Sequence, residues 1–140
     1  KLGNDLTRTL CKQAFDVLYD AIINDKPENY PYGSMLSGMG FGNCSTTLGH
    51  ALSYVYSNEG IMHGHALAHT TTVAHKFNNS KFYERFLKIV NHLKFSKITL
   101  SQDLRNAAKL ILTDKKHLDN NPRVITEEDV VILLEKINNQ

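Results

Sequence analysis

From end to end of the chain, apolar residues recur every three or four positions, and no stretch alternates apolar and polar over the length of a strand. A side chain returns to the same side of an α-helix at that spacing, whereas a half-buried strand needs a period of two. The pattern therefore predicts an all-α fold, a helical bundle with no sheet. Thr70-Thr71-Thr72-Val73 is β-branched, but its neighbours fit a helix better.

The segments separate at glycine, proline and asparagine. Asn4 or Asp5 caps a first helix running to about Asn24, with Leu6, Leu10, Ala14, Val17 and Ala21 on one face. After a polar loop over Lys26 to Pro31, Tyr32 to Met39 reads as a short helix, which Gly38, Gly40 and Gly42 are expected to break. Thr47 to Tyr56 and Met62 to Lys76 form a helix pair about a Ser57–Gly60 turn. Ser80 and Ser101 are expected to open two more helices. Asn120-Asn121-Pro122 is a turn. Thr126-Glu127-Glu128-Asp129 is a capping-box variant leading into Val130, Leu133, Leu134 and Ile137.

With 140 residues the chain is read as a single domain, 1–140. The 16 basic and 14 acidic residues nearly balance, which gives no electrostatic reason to expect nucleic acid or a membrane surface as partner. No apolar run approaches the ~20 residues that span a bilayer, and no signal peptide is evident. A cytoplasmic location is the expectation. Cys11 and Cys44 match no metal spacing. Because Lys1 precedes a helix almost immediately, the chain reads as a piece of a longer protein.

Five histidines fall between positions 50 and 75: His50, His63, His65, His69 and His75. His65 and His69 share a helical face, yet no acid stands at a helpful spacing, and hydrogen-bonded or solvated imidazoles are the simpler reading. His50 and His63 differ because each adjoins a glycine, Gly49 and Gly64, where a missing side chain allows close approach. A pair of imidazoles alone falls short of the three protein ligands usual in a catalytic metal site. Asp16 and Asp20 read as a solvated face. Neither a phosphate-binding glycine loop nor a nucleophile elbow is present.

The run Gly38-Met39-Gly40-Phe41-Gly42-Asn43-Cys44-Ser45, then His50-Ala51-Leu52-Ser53, His63-Gly64 and Phe77-Asn78, resembles the C-terminal domain of the iron-containing (group III) alcohol dehydrogenases. Asn121-Pro122-Arg123 followed by Thr126-Glu127-Glu128-Asp129 resembles the way these proteins end. The resemblance implies an all-helical metal-binding domain that works with an N-terminal dinucleotide-binding domain. It implies Fe²⁺, or Zn²⁺, held by one Asp and three His, with NAD or NADP exchanging hydride with a small alcohol or aldehyde. By position, His50 and His63 correspond to the last two histidine ligands, and the other two ligands fall upstream of Lys1. Phe41 corresponds to an aromatic residue lining the substrate and nicotinamide pocket. Tyr54 stands where the family carries a histidine near the nicotinamide.

The expected activity is therefore that of an NAD(P)-dependent alcohol dehydrogenase, with no turnover by this chain alone and a homo-oligomer among its expected assemblies. The alternatives are a dehydroquinate-synthase-like domain, suggested by His63-Gly64-His65-Ala66, and a non-catalytic helical module for oligomerisation or metal binding.

Overall fold

The computed structural model describes residues 2–140; Lys1, on which the expectation of a longer protein rests, lies outside them. Eight α-helices and a short 3-10 turn make up the described residues, with no strand among them. In order the helices are α1 (Asp5–Ile23), α2 (Tyr30–Phe41), α3 (Leu48–Asn58), α4 (His63–Phe77), α5 (Tyr83–Leu93), α6 (Leu104–Leu112), α7 (Lys115–Leu118) and α8 (Glu127–Asn138). The chain divides into two compact units, Lys1–Ser45 and Thr46–Gln140.

The first unit is the hairpin of α1 and α2. Asn4 caps α1 through its side chain, and Thr7 returns the bond in a capping box. Ala14 and Ala21 are buried as the apolar spacing predicts, whereas Leu6 is 68% exposed. α2 runs back along α1 as far as Gly40, which faces Cys11, and in the first turn of α1 the buried residue is Thr7 rather than Leu6. Of the three glycines expected to break α2, Gly38 and Gly40 continue the helix and Gly42, its C-cap, stands at its end. A Cβ on Gly40 would lie 2.5 Å from the Cys11 Sγ, and one on Gly33 would lie 2.6 Å from the Leu18 side chain. They are the low points where one helix lies against the other.

The second unit is built on the α3–α4 hairpin. Gly60 makes the turn with φ of +90°, a conformation that side chains disfavour. Leu48, Leu52, Leu134 and Ile137 are fully buried, and Val130, Leu133, Ala107, Ala108 and Ile111 complete the core with them. Burial of each large aliphatic side chain contributes about 1.5–3 kcal/mol. Thr126 caps α8 in the expected box with Asp129. Two other starts differ from expectation. Asp103, rather than Ser101, caps α6, because Ser101 gives its backbone N–H and hydroxyl to Glu59. Phe82, rather than Ser80, is the cap residue of α5; the Ser80 hydroxyl accepts from the Phe82 N–H in the turn before it.

After α6 comes α7, a single turn that the apolar spacing does not announce. Asp114 caps it, accepting from the His117 N–H at 3.4 Å. Its surroundings hold it firmly. Leu118 is buried in the core, and the Asn120 amide donates to the Thr46 carbonyl, just before α3. Asn121 exchanges two amide hydrogen bonds of 2.8 and 3.0 Å with Asn78 at the end of α4. Arg123 lies over the Phe77 ring, 4.4 Å from its centroid, and donates to the Phe77 carbonyl. Asn121-Pro122-Arg123 is thus a structural turn that ties the approach to α8 back to α4.

Candidate metal-binding histidine site

His50 lies in the first turn of α3 and His63 is the first residue of α4, and their rings meet between the two helices. Their centroids are 5.5 Å apart and the rings meet at 63°. The glycine before His50 has a plain task. A Cβ on Gly49 would lie 2.8 Å from the Thr71 Oγ1 and 3.1 Å from its Cα, so the missing side chain sets how closely α3 approaches α4. The Thr70 hydroxyl donates to the Gly49 carbonyl at 2.8 Å across the same contact. Gly64 differs: nothing lies within 4 Å of its added Cβ, and the structure gives it no packing role.

Each imidazole is in a form suited to coordination. Burial, reinforced by His63 and His117 and opposed by Asp114, holds the His50 pKa down at about 4. His50 is therefore neutral near pH 7, with a lone pair to offer. Ser53 is fully buried, and its hydroxyl donates to the His50 carbonyl at 2.8 Å. With that proton committed, the contact of 3.4 Å between Ser53 Oγ and His63 Nδ1 is satisfied by Nδ1–H donating to the hydroxyl. The tautomer assigned in this way leaves the His63 Nε2 lone pair free, as a histidine ligand with an outer hydrogen-bond partner requires.

Two further rings enclose the pair. Tyr54, one turn beyond His50 on α3, stacks on His63 at 5.7 Å and 9°. His117, from α7, stacks on His50 at 6.1 Å and 13° and also meets Tyr54 at 5.6 Å. His50, His63, Tyr54 and His117 form a closed circuit in which every ring touches two others. Beside it, Tyr54 and Asp114 line a cavity of about 260 Å³ with Ala51, Val55, Leu110 and Thr113. Among the described residues, no three His, Cys, Asp or Glu side chains converge as a metal set. Two imidazoles are donor chemistry that suits a divalent ion, and by themselves they fall short of a full ligand set.

His65, His69 and His75 are engaged elsewhere. His65 Nε2 and His69 Nε2 both bond to the Ser96 carbonyl, at 2.7 and 2.9 Å, and His69 Nδ1 is 2.9 Å from the Gln140 amide oxygen. They fasten the segment after α5 to α4, in agreement with the simpler reading of that helix. Burial beside Phe86 lowers the pKa of His75. Asp16 and Asp20 form exposed ion pairs with Lys12 and Lys26. Phe41 closes α2 in the first unit, 46% exposed.

Sequence reasoning overlooked His117 and Asp114. The signal was Asp114-Lys115-Lys116-His117, an acid three residues before a histidine, which lets the carboxylate cap a turn and grip the ring at once.

Residues 4–111 match the Fe-containing alcohol dehydrogenase family, C-terminal domain. That covers well over half the chain, and the protein belongs to this family. The all-helical architecture agrees with the family's helical C-terminal domain. No curated protein and no solved structure matched the chain. No described helix is long and apolar enough to cross a membrane.

Proposed function

We propose that this chain is the metal-binding part of an NAD(P)-dependent alcohol dehydrogenase that interconverts a small alcohol and its aldehyde. The observation that carries the reading is the His50–His63 pair, held 5.5 Å apart across α3 and α4 within the segment matching the family. A bound Fe²⁺ or Zn²⁺ would polarise the substrate oxygen while a nicotinamide exchanges the hydride. His50 and His63 would supply two of its ligands. Ser53 holds the His63 tautomer, and burial keeps His50 uncharged. Tyr54 and Phe41 are assigned to the nicotinamide and substrate side, as the family resemblance implies. Tyr54 offers a hydroxyl there that can donate a hydrogen bond.

On this reading a partner domain provides the remaining ligands and the dinucleotide site, and the 140-residue chain alone turns nothing over. The test is to express the protein with its upstream sequence, load it anaerobically with Fe²⁺ or aerobically with Zn²⁺, and follow NAD(P)H absorbance with a panel of primary alcohols. Turnover lost in His63→Ala supports the proposal. Turnover unaffected by His50→Ala and His63→Ala would remove its basis.

A further inference from the structure

Family membership accounts for residues 4–111, and His117 lies beyond that stretch. We propose that His117, oriented by Asp114, is a positioning residue for the histidine site, holding the rings of His50 and Tyr54 in place. The inference rests on the reading that His50 and His63 bind a divalent metal.

The Asp114 carboxylate oxygens lie 2.7 and 2.6 Å from His117 Nδ1, so that nitrogen carries the proton and the ring cannot turn over without losing both contacts. His117 is only 7% exposed. Its flat face lies against His50 and its edge against Tyr54, the two side chains that α3 directs toward His63. The turn bearing it is anchored at both helices that carry the pair. Asn120 bonds to Thr46, two residues before α3, and Asn121 pairs with Asn78, the residue after α4. Any shift of α3 against α4 is therefore felt at His117, and the ring closes the circuit on the side where His50 would otherwise swing away from His63. Among the described residues no third His, Cys, Asp or Glu converges with the pair, so His117 is assigned to act through its neighbours.

Asp114 also caps α7, and a purely structural role would show only as lost stability. Metal binding distinguishes the two. The 140-residue chain is titrated with Co²⁺, reading both affinity and the visible d–d spectrum, alongside metal-free melting curves. The comparison uses wild type, His50→Ala, His63→Ala, His117→Ala and His117→Phe. His117→Ala is expected to weaken Co²⁺ binding about tenfold, the low end for outer-sphere partners, and to alter the d–d bands. His117→Phe preserves the buried ring, so it should fold and recover most of the affinity.

Binding in His117→Ala within about twofold of wild type, with His50→Ala still defective, would overturn the positioning role and leave the metal reading standing. Loss as complete as in His50→Ala, without rescue by Phe, would make His117 a ligand and equally overturn it. Binding indifferent to both His50→Ala and His63→Ala would remove the metal reading itself.

Discussion

Tyr54 lies flat on His63, with ring planes 9° apart and centroids separated by 5.7 Å, although the two residues come from different helices. The phenol therefore supports a proposed ligand. Tyr54→Phe keeps the stacking face and should leave Co²⁺ or Zn²⁺ affinity within about threefold of wild type. Tyr54→Ala should weaken it by about tenfold, the scale of lost outer-sphere support. Equal losses in both variants, measured by calorimetry, would show that the hydroxyl rather than the ring matters.

His69→Ala should separate metal binding from stability. Its ring joins Ser96 to Gln140, so truncation removes hydrogen bonds from a buried position and should cost about 1–3 kcal/mol. Metal affinity should be unchanged. A calorimetric titration matching that of His63→Ala would reassign the site.

The two glycines beside the histidines should respond with opposite signs. At Gly49 an added methyl meets Thr71, and Gly49→Ala should destabilise by about 1–3 kcal/mol through overpacking. At Gly64, inside α4 with open space around it, Gly64→Ala should stabilise by about 0.5–1 kcal/mol through helix propensity. Melting temperatures that move in the same direction would contradict the contact.

Burial lowers the pKa of His75 below its ordinary value of 6.5. The unfolded chain then binds a proton that the folded chain does not, in the window between the folded value and 6.5. Stability from this group is complete above that window and falls as pH drops through it. His75→Gln should flatten the slope of unfolding free energy against pH below 6.5, read from urea titrations. An unaltered slope would mean that burial leaves this imidazole's titration unchanged.

Asn121→Ala should be among the costlier polar substitutions. Asn121 is fully buried, exchanges two bonds with Asn78 and donates to the Arg123 carbonyl at 2.7 Å. Leaving those partners unsatisfied should cost about 1–3 kcal/mol, visible in denaturant melts. A change under half a kcal/mol would show that water replaces the amide freely.

Long helices were legible in the chain because a buried stripe repeats at helical spacing: all four apolar residues expected on α8 are buried, and Asn4 and Thr126 cap where their side chains suggested. Glycine in α2 misled at Gly40, which looks like a breaker until a partner helix is seen to fill its space. Ser101 misled because a hydroxyl suited to capping was taken by Glu59, which is distant in sequence. His50 and His63 stood out through their neighbours, and the structure brings the two rings together. His117 did not stand out, because a single turn has no periodicity and its contacts with His50 and Tyr54 are made by tertiary packing.

The close crossing at Gly49 and Thr71 has a thermodynamic corollary. His50 follows that glycine directly and His63 begins the opposing helix, so an ion bridging them would hold the same two segments that the crossing holds. Ligation and hairpin packing are then linked functions. An ion that stabilises the fold by mass action does so through this crossing, and loosening it at Thr71 should weaken ion binding by the same free energy that a bound ion restores to the loosened fold.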